Sequence, residues 1–302
     1  MITRDADAFF AFARGCAPDF GPATAKAAFL VAPDGFARAE QSAQDNRYMA
    51  GADAFDAARA SAEHRELQRA LSRSLPTVCF PGDPDAPDAV FPNNVFATAP
   101  GKLIVGRMRH PVRQREAGRD DIRGWFRDVL GYAETDLSQQ PHACELTGAL
   151  VIDRARGLGF CGLSERCDEE GARLMHEAFG LRATLLFDLA PGEYHSNVVL
   201  AVLAGRAVLV CADGFADPAV AEAISGGYAH ALRLTAAQRL AFAGNAIALS
   251  EDAVWMSAAA ESALAPADRA LLADAGFEVR SVDLRTIESA GGSLRCCVAE
   301  LF

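Results

Sequence analysis

The sequence predicts an α/β fold made of five copies of one unit (strand, turn, strand, helix, strand) set around a common axis. Three observations predict it. Asn94, Glu145, His195, Asn245 and Cys296 follow one another at intervals of 51, 50, 50 and 51 residues. Each interval runs through the same order of short apolar runs, turn residues and one helical pattern. A fixed period near fifty marks a repeat architecture whose units bury their faces against one another. The third observation is a shortfall. Only six residues follow Cys296, so the fifth unit lacks most of its parts. Residues 27–80 hold the missing strands and helix, which closes a ring by joining the two ends of the chain and leaves no exposed terminal unit. The resulting reading is one domain over residues 1–302.

The elements follow in order. Residues 4–26 are Ala-rich with helical spacing at Phe9, Phe10 and Phe12, interrupted by Gly15, Pro18, Gly21 and Pro22. Residues 27–31 read as a strand, closed by Pro33-Asp34-Gly35. The polar stretch around Glu40–Met49 is too long for a connector and reads as a lid or binding loop. A helical pattern covers 53–73, and 77–80 is a further short strand. The periodic part starts at Asp88. Strands are expected at 95–99 and 103–105 with a helix near 113–130. The next unit has strands at 146–152, 158–162 and 183–187 with a helix near 165–179. Strands at 198–203 and 207–211 precede a helix near 217–224. Strands at 246–249, 254–256 and 278–282 surround a helix near 266–275. Each of the five axial residues opens the first strand of its unit, with Cys296 opening the last.

Composition narrows the function classes. The chain is 51% hydrophobic and 23% charged, enough to bury a large core in a soluble protein. Net charge is −11 with pI near 5.0, which argues against nucleic acid, because phosphate binding needs clustered Lys and Arg. The start MITRDADAFFAFARG lacks the apolar core of a signal peptide, and no run approaches eighteen apolar residues, so no membrane role and a cytoplasmic location are expected. The eight cysteines are scattered without zinc-ribbon spacing, so they read as reduced thiols, with no metal and no cofactor expected.

The tail TIESAGGSLRCCVAELF, residues 286–302, carries the chemistry. Gly291-Gly292-Ser293 is turn chemistry, and Cys296 and Cys297 follow it. A thiol on such a turn, beside backbone N–H groups and Arg295, is expected to favour its nucleophilic thiolate form. Taken alone, a free cysteine is usually a small core hydrophobe, His195 a hydrogen-bonded core histidine, Glu145 a solvated turn residue, and each asparagine a turn former. The repeat changes the weighing. It gathers a thiol, an imidazole and a carboxylate at one axis, and ionisable groups are costly to gather in a core unless they react or bind.

The segments DAVFPNN (88–94), CELTGALVID (144–153), GLSERC (162–167), EYHSNVV (193–199), FAGNAIAL (242–249) and the tail resemble the motifs of the guanidino-group-modifying superfamily, also called the pentein or amidinotransferase superfamily. Within it the chain is most similar to dimethylarginine dimethylaminohydrolases and citrulline-utilisation hydrolases. The resemblance implies a five-bladed α/β propeller of ββαβ units and hydrolysis of non-peptide C–N bonds in a small arginine-type amino acid. It implies that Cys296 is the nucleophile, His195 the general acid/base and Glu145 the carboxylate beside it. Asp88 and Asn94 match positions that grip the planar guanidinium. Arg113 and Arg166 match arginines that hold the substrate α-carboxylate, a task suited to their planar fork. Asn197 and Asn245 join the substrate-binding set.

Asn94 departs from the Asp that dimethylarginine hydrolases and arginine deiminases carry there. An amide offers a donor and an acceptor together, which suits a neutral ureido group, whereas carboxylates suit a cation. The departure points towards citrulline-like substrates or a reaction passing through a ureido intermediate. Two other readings stand beside hydrolysis: an amidinotransferase using the same thiol, and a non-catalytic binding protein of the same fold. A homodimer is compatible with all of them.

Overall fold

The computed structural model describes residues 1–49 and 55–302. Five small sheets make up the β-structure, and their strands follow the expected repeat. β1 is Ile2–Thr3, β2 Ala27–Val31, β3 Thr77–Phe80, β4 Phe96–Ala99, β5 Lys102–Val105, β6 Ala133–Asp136, β7 Leu150–Asp153 and β8 Leu158–Leu163. β9 is Ala183–Asp188, β10 Leu200–Leu203, β11 Ala207–Val210, β12 His230–Arg233, β13 Ile247–Ala248, β14 Ala253–Ser257, β15 Glu278–Val282 and β16 Ala299–Leu301. The sheet orders are β4-β5-β6, β1-β9-β8-β7, β10-β11-β12, β13-β14-β15 and β16-β2-β3. In every sheet the hairpin-like pair is antiparallel and the next pair is parallel. A parallel pair needs a crossover. Helices such as Glu169–Phe179 and Pro218–Gly226 supply it, each started by an aspartate cap, Asp168 or Asp217.

The fifth sheet joins the two ends of the chain as the shortfall after Cys296 predicts. Leu301 pairs with Ala27 and Ala299 with Phe29, and β2 then pairs parallel with β3. The intervening helix, Ala57–Ser72, buries His64, Leu67 and Leu71. The first two residues of the helical pattern expected from 53 lie outside the described residues.

Four details differ from the sequence reading. The axial residues do not open strands directly. A single helical turn stands at or just after Asn94 (Pro92–Asn94), Glu145 (Leu146–Ala149), His195 (Ser196–Val199) and Cys296 (Leu294–Cys297), and the strand follows it. The helix expected near 113–130 is broken into the turns Pro111–Gln114, Arg115–Gly118, Asp120–Gly124 and Trp125–Val129. Two of these breaks fall at Gly118 and Gly124, and glycine weakens a helix interior. The lid stretch forms two short 3-10 turns, Ser42–Gln44 and Arg47–Met49. β1 adds a fourth strand parallel to β9, too short to leave a period in the sequence.

Hydrogen bonds link the five units in chain order. Thr147 Oγ1 donates to the Asn93 carbonyl at 3.0 Å, and Asn197 Nδ2 to the Thr147 carbonyl at 3.1 Å. Asn245 Nδ2 donates to the Asn197 carbonyl at 2.8 Å, and its Oδ1 accepts the Arg295 N–H at 3.0 Å. Buried Thr98 makes the last link, donating to the Glu300 carbonyl at 2.8 Å and accepting the Phe302 N–H at 2.9 Å. No described helix is long and apolar enough to cross a membrane.

Thr98→Val keeps the shape and strands two buried backbone groups, so it should lower unfolding free energy by about 1–3 kcal/mol. Chemical denaturation measures this, and an unchanged midpoint would remove Thr98 from the set of linking residues.

Candidate active site

The repeat delivers three of its five axial residues to one cavity and sets the other two directly behind them. Asn94, His195 and Cys296 line a narrow cavity together with Asp88, Arg113 and Arg166. Glu145 lies directly behind His195, and Asn245 behind Cys296. The helical turns explain how backbones so close to one axis each aim a side chain inward. They also pack very tightly. A Cβ on Gly148 would sit 2.5 Å from Asn94 Oδ1 and 2.9 Å from His195 Nδ1, so only glycine fits there.

Glu145 and His195 are both fully buried. His195 Nε2 lies 2.8 Å from Glu145 Oε2, while Oε1 accepts the Arg109 N–H at 3.0 Å. Arg166 Nη1 approaches Oε2 at 3.3 Å. Burial pushes the Glu145 carboxyl up, but Arg166, the His195 hydrogen bond and Arg113 outweigh it and hold it well below the usual carboxylate range. An ionised carboxylate only accepts, so the neutral imidazole keeps its proton on Nε2. Its Nδ1 has no hydrogen-bond partner among the described residues. Burial lowers the His195 pKa more than Glu145 raises it, so the ring rests neutral.

Cys296 is enclosed in the same way. Asn245 Nδ2 points at Sγ from 3.4 Å, and Asn197 Oδ1 lies 4.0 Å away. Burial raises the thiol above its ordinary value, although a backbone N–H, Asn245, Arg295 and Arg113 all favour the thiolate. The thiolate expected from the tail is therefore not the resting form, because desolvation outweighs the turn's N–H groups. Arg295 turns away, donating to the Val298 carbonyl at 2.8 Å and to Glu300 at 3.0 Å. Cys297 is fully buried in an apolar cluster and is absent from the cavity lining. Asn245 and Asn197 serve here as the struts of the thiol, bonded to each other and to the backbone. Neither borders the cavity.

The two arginines expected to be free for a carboxylate are already engaged. Arg113 pairs with Glu116 through two bonds of 2.8 Å and donates to the carbonyls of Asp88 and Phe91. Arg166 reaches Asp45 with Nε at 3.0 and 3.1 Å and with Nη2 at 2.5 Å, and also bonds the Ser42 carbonyl. A fully enclosed guanidinium needs such partners, which the sequence could not assign. Both Asp45 and Ser42 belong to the polar stretch read as a lid, which lies folded over the cavity. Ser42 Oγ donates to Asp88, Asn46 Nδ2 to the Gly291 carbonyl at 3.1 Å, and His110 Nε2 sits 2.9 Å from Asp45. Tyr48 and Arg47 fasten the far end to buried Glu193. Gly291, at φ +88°, abuts Asn46 and Met49 so closely that a Cβ would meet them at 2.4 Å. Ser42, Asp45, Asn46, Gly148 and Tyr194 were missed as individual site residues. The length of the polar loop and the motifs containing Gly148 and Tyr194 were the available signals.

Residues 32–302 match the family described as N,N dimethylarginine dimethylhydrolase, eukaryotic. The chain belongs to this family of hydrolases. The dimethylarginine dimethylaminohydrolase of Mycobacterium tuberculosis is 29% identical over 215 residues, which span 71% of this chain and 66% of that protein. Two kinds of solved structure share the fold. The N-terminal domain of ArgZ, an arginine dihydrolase from the ornithine–ammonia cycle in cyanobacteria, bound to its substrate, superposes with a TM-score of 0.78 at 20% identity, covering 91% of this chain and 97% of that one. A dimethylarginine dimethylaminohydrolase adduct with 4-chloro-2-hydroxymethylpyridine gives 0.69 at 20% identity, covering 92% and 100%. The fold is therefore the mixed α/β architecture of the guanidino-modifying superfamily, as the motifs imply. Among the described residues no group of His, Cys, Asp or Glu is placed to hold a metal ion.

Because burial raises the Cys296 thiol, its alkylation by iodoacetamide should be slow at neutral pH and climb only above the range of an exposed cysteine. A mass-spectrometric rate profile checks this, and a plateau below pH 7 would contradict it. Gly148→Ala should displace the His195 ring and cut turnover while leaving the circular dichroism spectrum unchanged.

Proposed function

We propose that this chain is a single closed ring of five ββαβ blades that hydrolyses a C–N bond of a guanidino or ureido amino acid through a covalent Cys296 intermediate. The observation that carries the reading is one buried cavity holding a thiol, an imidazole oriented by an ionised carboxylate, and the Asp88/Asn94 pair. A resonance-stabilised guanidinium or ureido carbon resists water, and a sulfur nucleophile divides one hard displacement into two easier ones.

The resting pair is a neutral thiol and a neutral imidazole. A docked guanidinium brings positive charge beside Sγ and favours its ionisation, so the thiol proton passes to His195 Nδ1. Sγ bonds to the substrate carbon. His195 hands the proton to the departing nitrogen as the C–N bond breaks. Water then attacks the S-linked carbon, giving its proton to His195, and the S–C bond breaks with the proton returned to Cys296. One residue serves both steps because it can be neutral or charged near working pH. Asp88 and Glu145 supply negative charge for the cation, and Asn94 fixes its plane. The substrate α-carboxylate takes Arg113 and Arg166, displacing Asp45 from the latter and so coupling lid movement to binding.

A second hydrolysis at the same site is favoured by Asn94. Its buried Oδ1 has no partner among the described residues and faces the same small space as His195 Nδ1. A free amide there can hold the ureido product of a first cleavage and present it for a second, the outcome named for the structurally similar arginine dihydrolase.

Incubation with arginine, dimethylarginines and citrulline, reading ammonia, methylamines and ornithine, tests the assignment. Cys296→Ser should lower turnover at least ~10³-fold, about 4 kcal/mol of barrier, with the fold intact. Cys297→Ser should keep activity and lose only about 1 kcal/mol of stability, from a hydroxyl placed in an apolar cluster. Asn94→Asp should retain attack on guanidinium substrates and lose it on citrulline. Full activity of Cys296→Ser on every substrate would end the covalent reading.

A further inference from the structure

A second cavity, narrow and with room for only a small molecule, shares no lining residue with the first. The two are separated by the layer of hydrogen-bonded amides. Thr147 and Asn197 form part of the second cavity's wall, and Asn197 is also the strut within 4.0 Å of Cys296 Sγ. Its walls are otherwise apolar backbone-strand residues such as Leu150, Leu200 and Ala246, with three charged exceptions: Arg154, Arg295 and Glu300.

The charges do not balance. Arg295 is satisfied, with one nitrogen on the Val298 carbonyl and the other on Glu300 at 3.0 Å. That ion pair uses the cavity's single carboxylate. Arg154 donates once, through Nη1 to the Thr98 carbonyl at 3.0 Å, and has no ion-pair partner among the described residues. Its guanidinium carbon lies over two aromatic rings, 4.2 Å from the Phe302 centroid and 5.2 Å from that of Phe179. Burial pushes its pKa down to about 10, with Glu300 opposing and Arg295 adding to the fall, so it stays charged at neutral pH. A guanidinium with N–H groups left over on a cavity, whose one nearby carboxylate, Glu300, is already paired with Arg295, is half of a bidentate pair.

We propose that this cavity, on the far side of the amide layer from Cys296, binds a small planar oxyanion (carboxylate, bicarbonate or nitrate) on Arg154, with Arg295 close by. The planar fork of arginine matches two coplanar oxygens, which a halide does not offer. The surrounding apolar side chains limit the site to small anions and strengthen the charge interaction. The site does not depend on the reaction assigned to the first cavity.

Thermal unfolding and isothermal titration with formate, bicarbonate, nitrate and chloride at constant ionic strength test it. Wild-type protein should show a saturable rise in Tm with the three planar oxyanions that exceeds the rise with chloride. Arg154→Met, which keeps the stem against the aromatic rings, should abolish it. Glu300→Gln removes the competing carboxylate and should tighten binding several-fold, so the proposal stays testable if Arg154→Met fails to fold. Protein alkylated at Cys296, which fills the catalytic cavity, should bind the anion unchanged. An equal response to all four salts, a response that survives Arg154→Met, no tightening in Glu300→Gln, or loss of binding on alkylation would each overturn the assignment.

Discussion

Glu145 is a carboxylate with no access to water, and the surrounding site is arranged to keep it ionised. Desolvation alone would protonate it. Arg166, the His195 hydrogen bond and Arg113 reverse that outcome, and the contacts with Glu145 commit Arg166 and His195 to one orientation each. His195 is left with a proton on Nε2 and a bare Nδ1. Arg166 retains surplus positive charge, which draws Asp45 and with it the lid. The orientation of His195, of Arg166 and of the 40–49 stretch thus depends on one buried charge.

The thiol is governed by the opposite logic. Cys296 has no ionised partner in contact, only the amide of Asn245 and the more distant oxygen of Asn197, so burial keeps it protonated until a cation arrives. The same amides that hold Sγ also stitch neighbouring units together. Asn245 and Asn197 therefore carry structural and chemical duty at once, and the sequence reading placed them on the substrate instead.

The fifty-residue period made the five sheets, their strand order and the N-to-C-terminal pairing legible from the sequence, because each unit repeats one pattern of apolar runs and turns. The period also named Asn94, Glu145, His195, Asn245 and Cys296 as neighbours, since equivalent positions of a ring converge on its axis. What periodicity could not convey is the single helical turn beside four of those residues. Four residues are too few to show a 3.6-residue rhythm, so the strand was expected to begin at once. Cys297 lies on this turn too and is buried in the apolar cluster away from the cavity.

The sequence by itself determined which residue types can do the chemistry and which of them share an axis, because spacing and residue identity are local properties of the chain. Only the tertiary structure decided their charge states and partners. Asp45 lies 121 residues from Arg166, and Glu63 binds the N–H groups of Thr286 and Ile287 from more than 220 residues away. Such pairs leave no periodic trace. The protonation of Cys296, Glu145 and His195 is set by how much water folding removes and by which charges it brings within a few ångströms, and neither quantity exists before the chain has closed on itself.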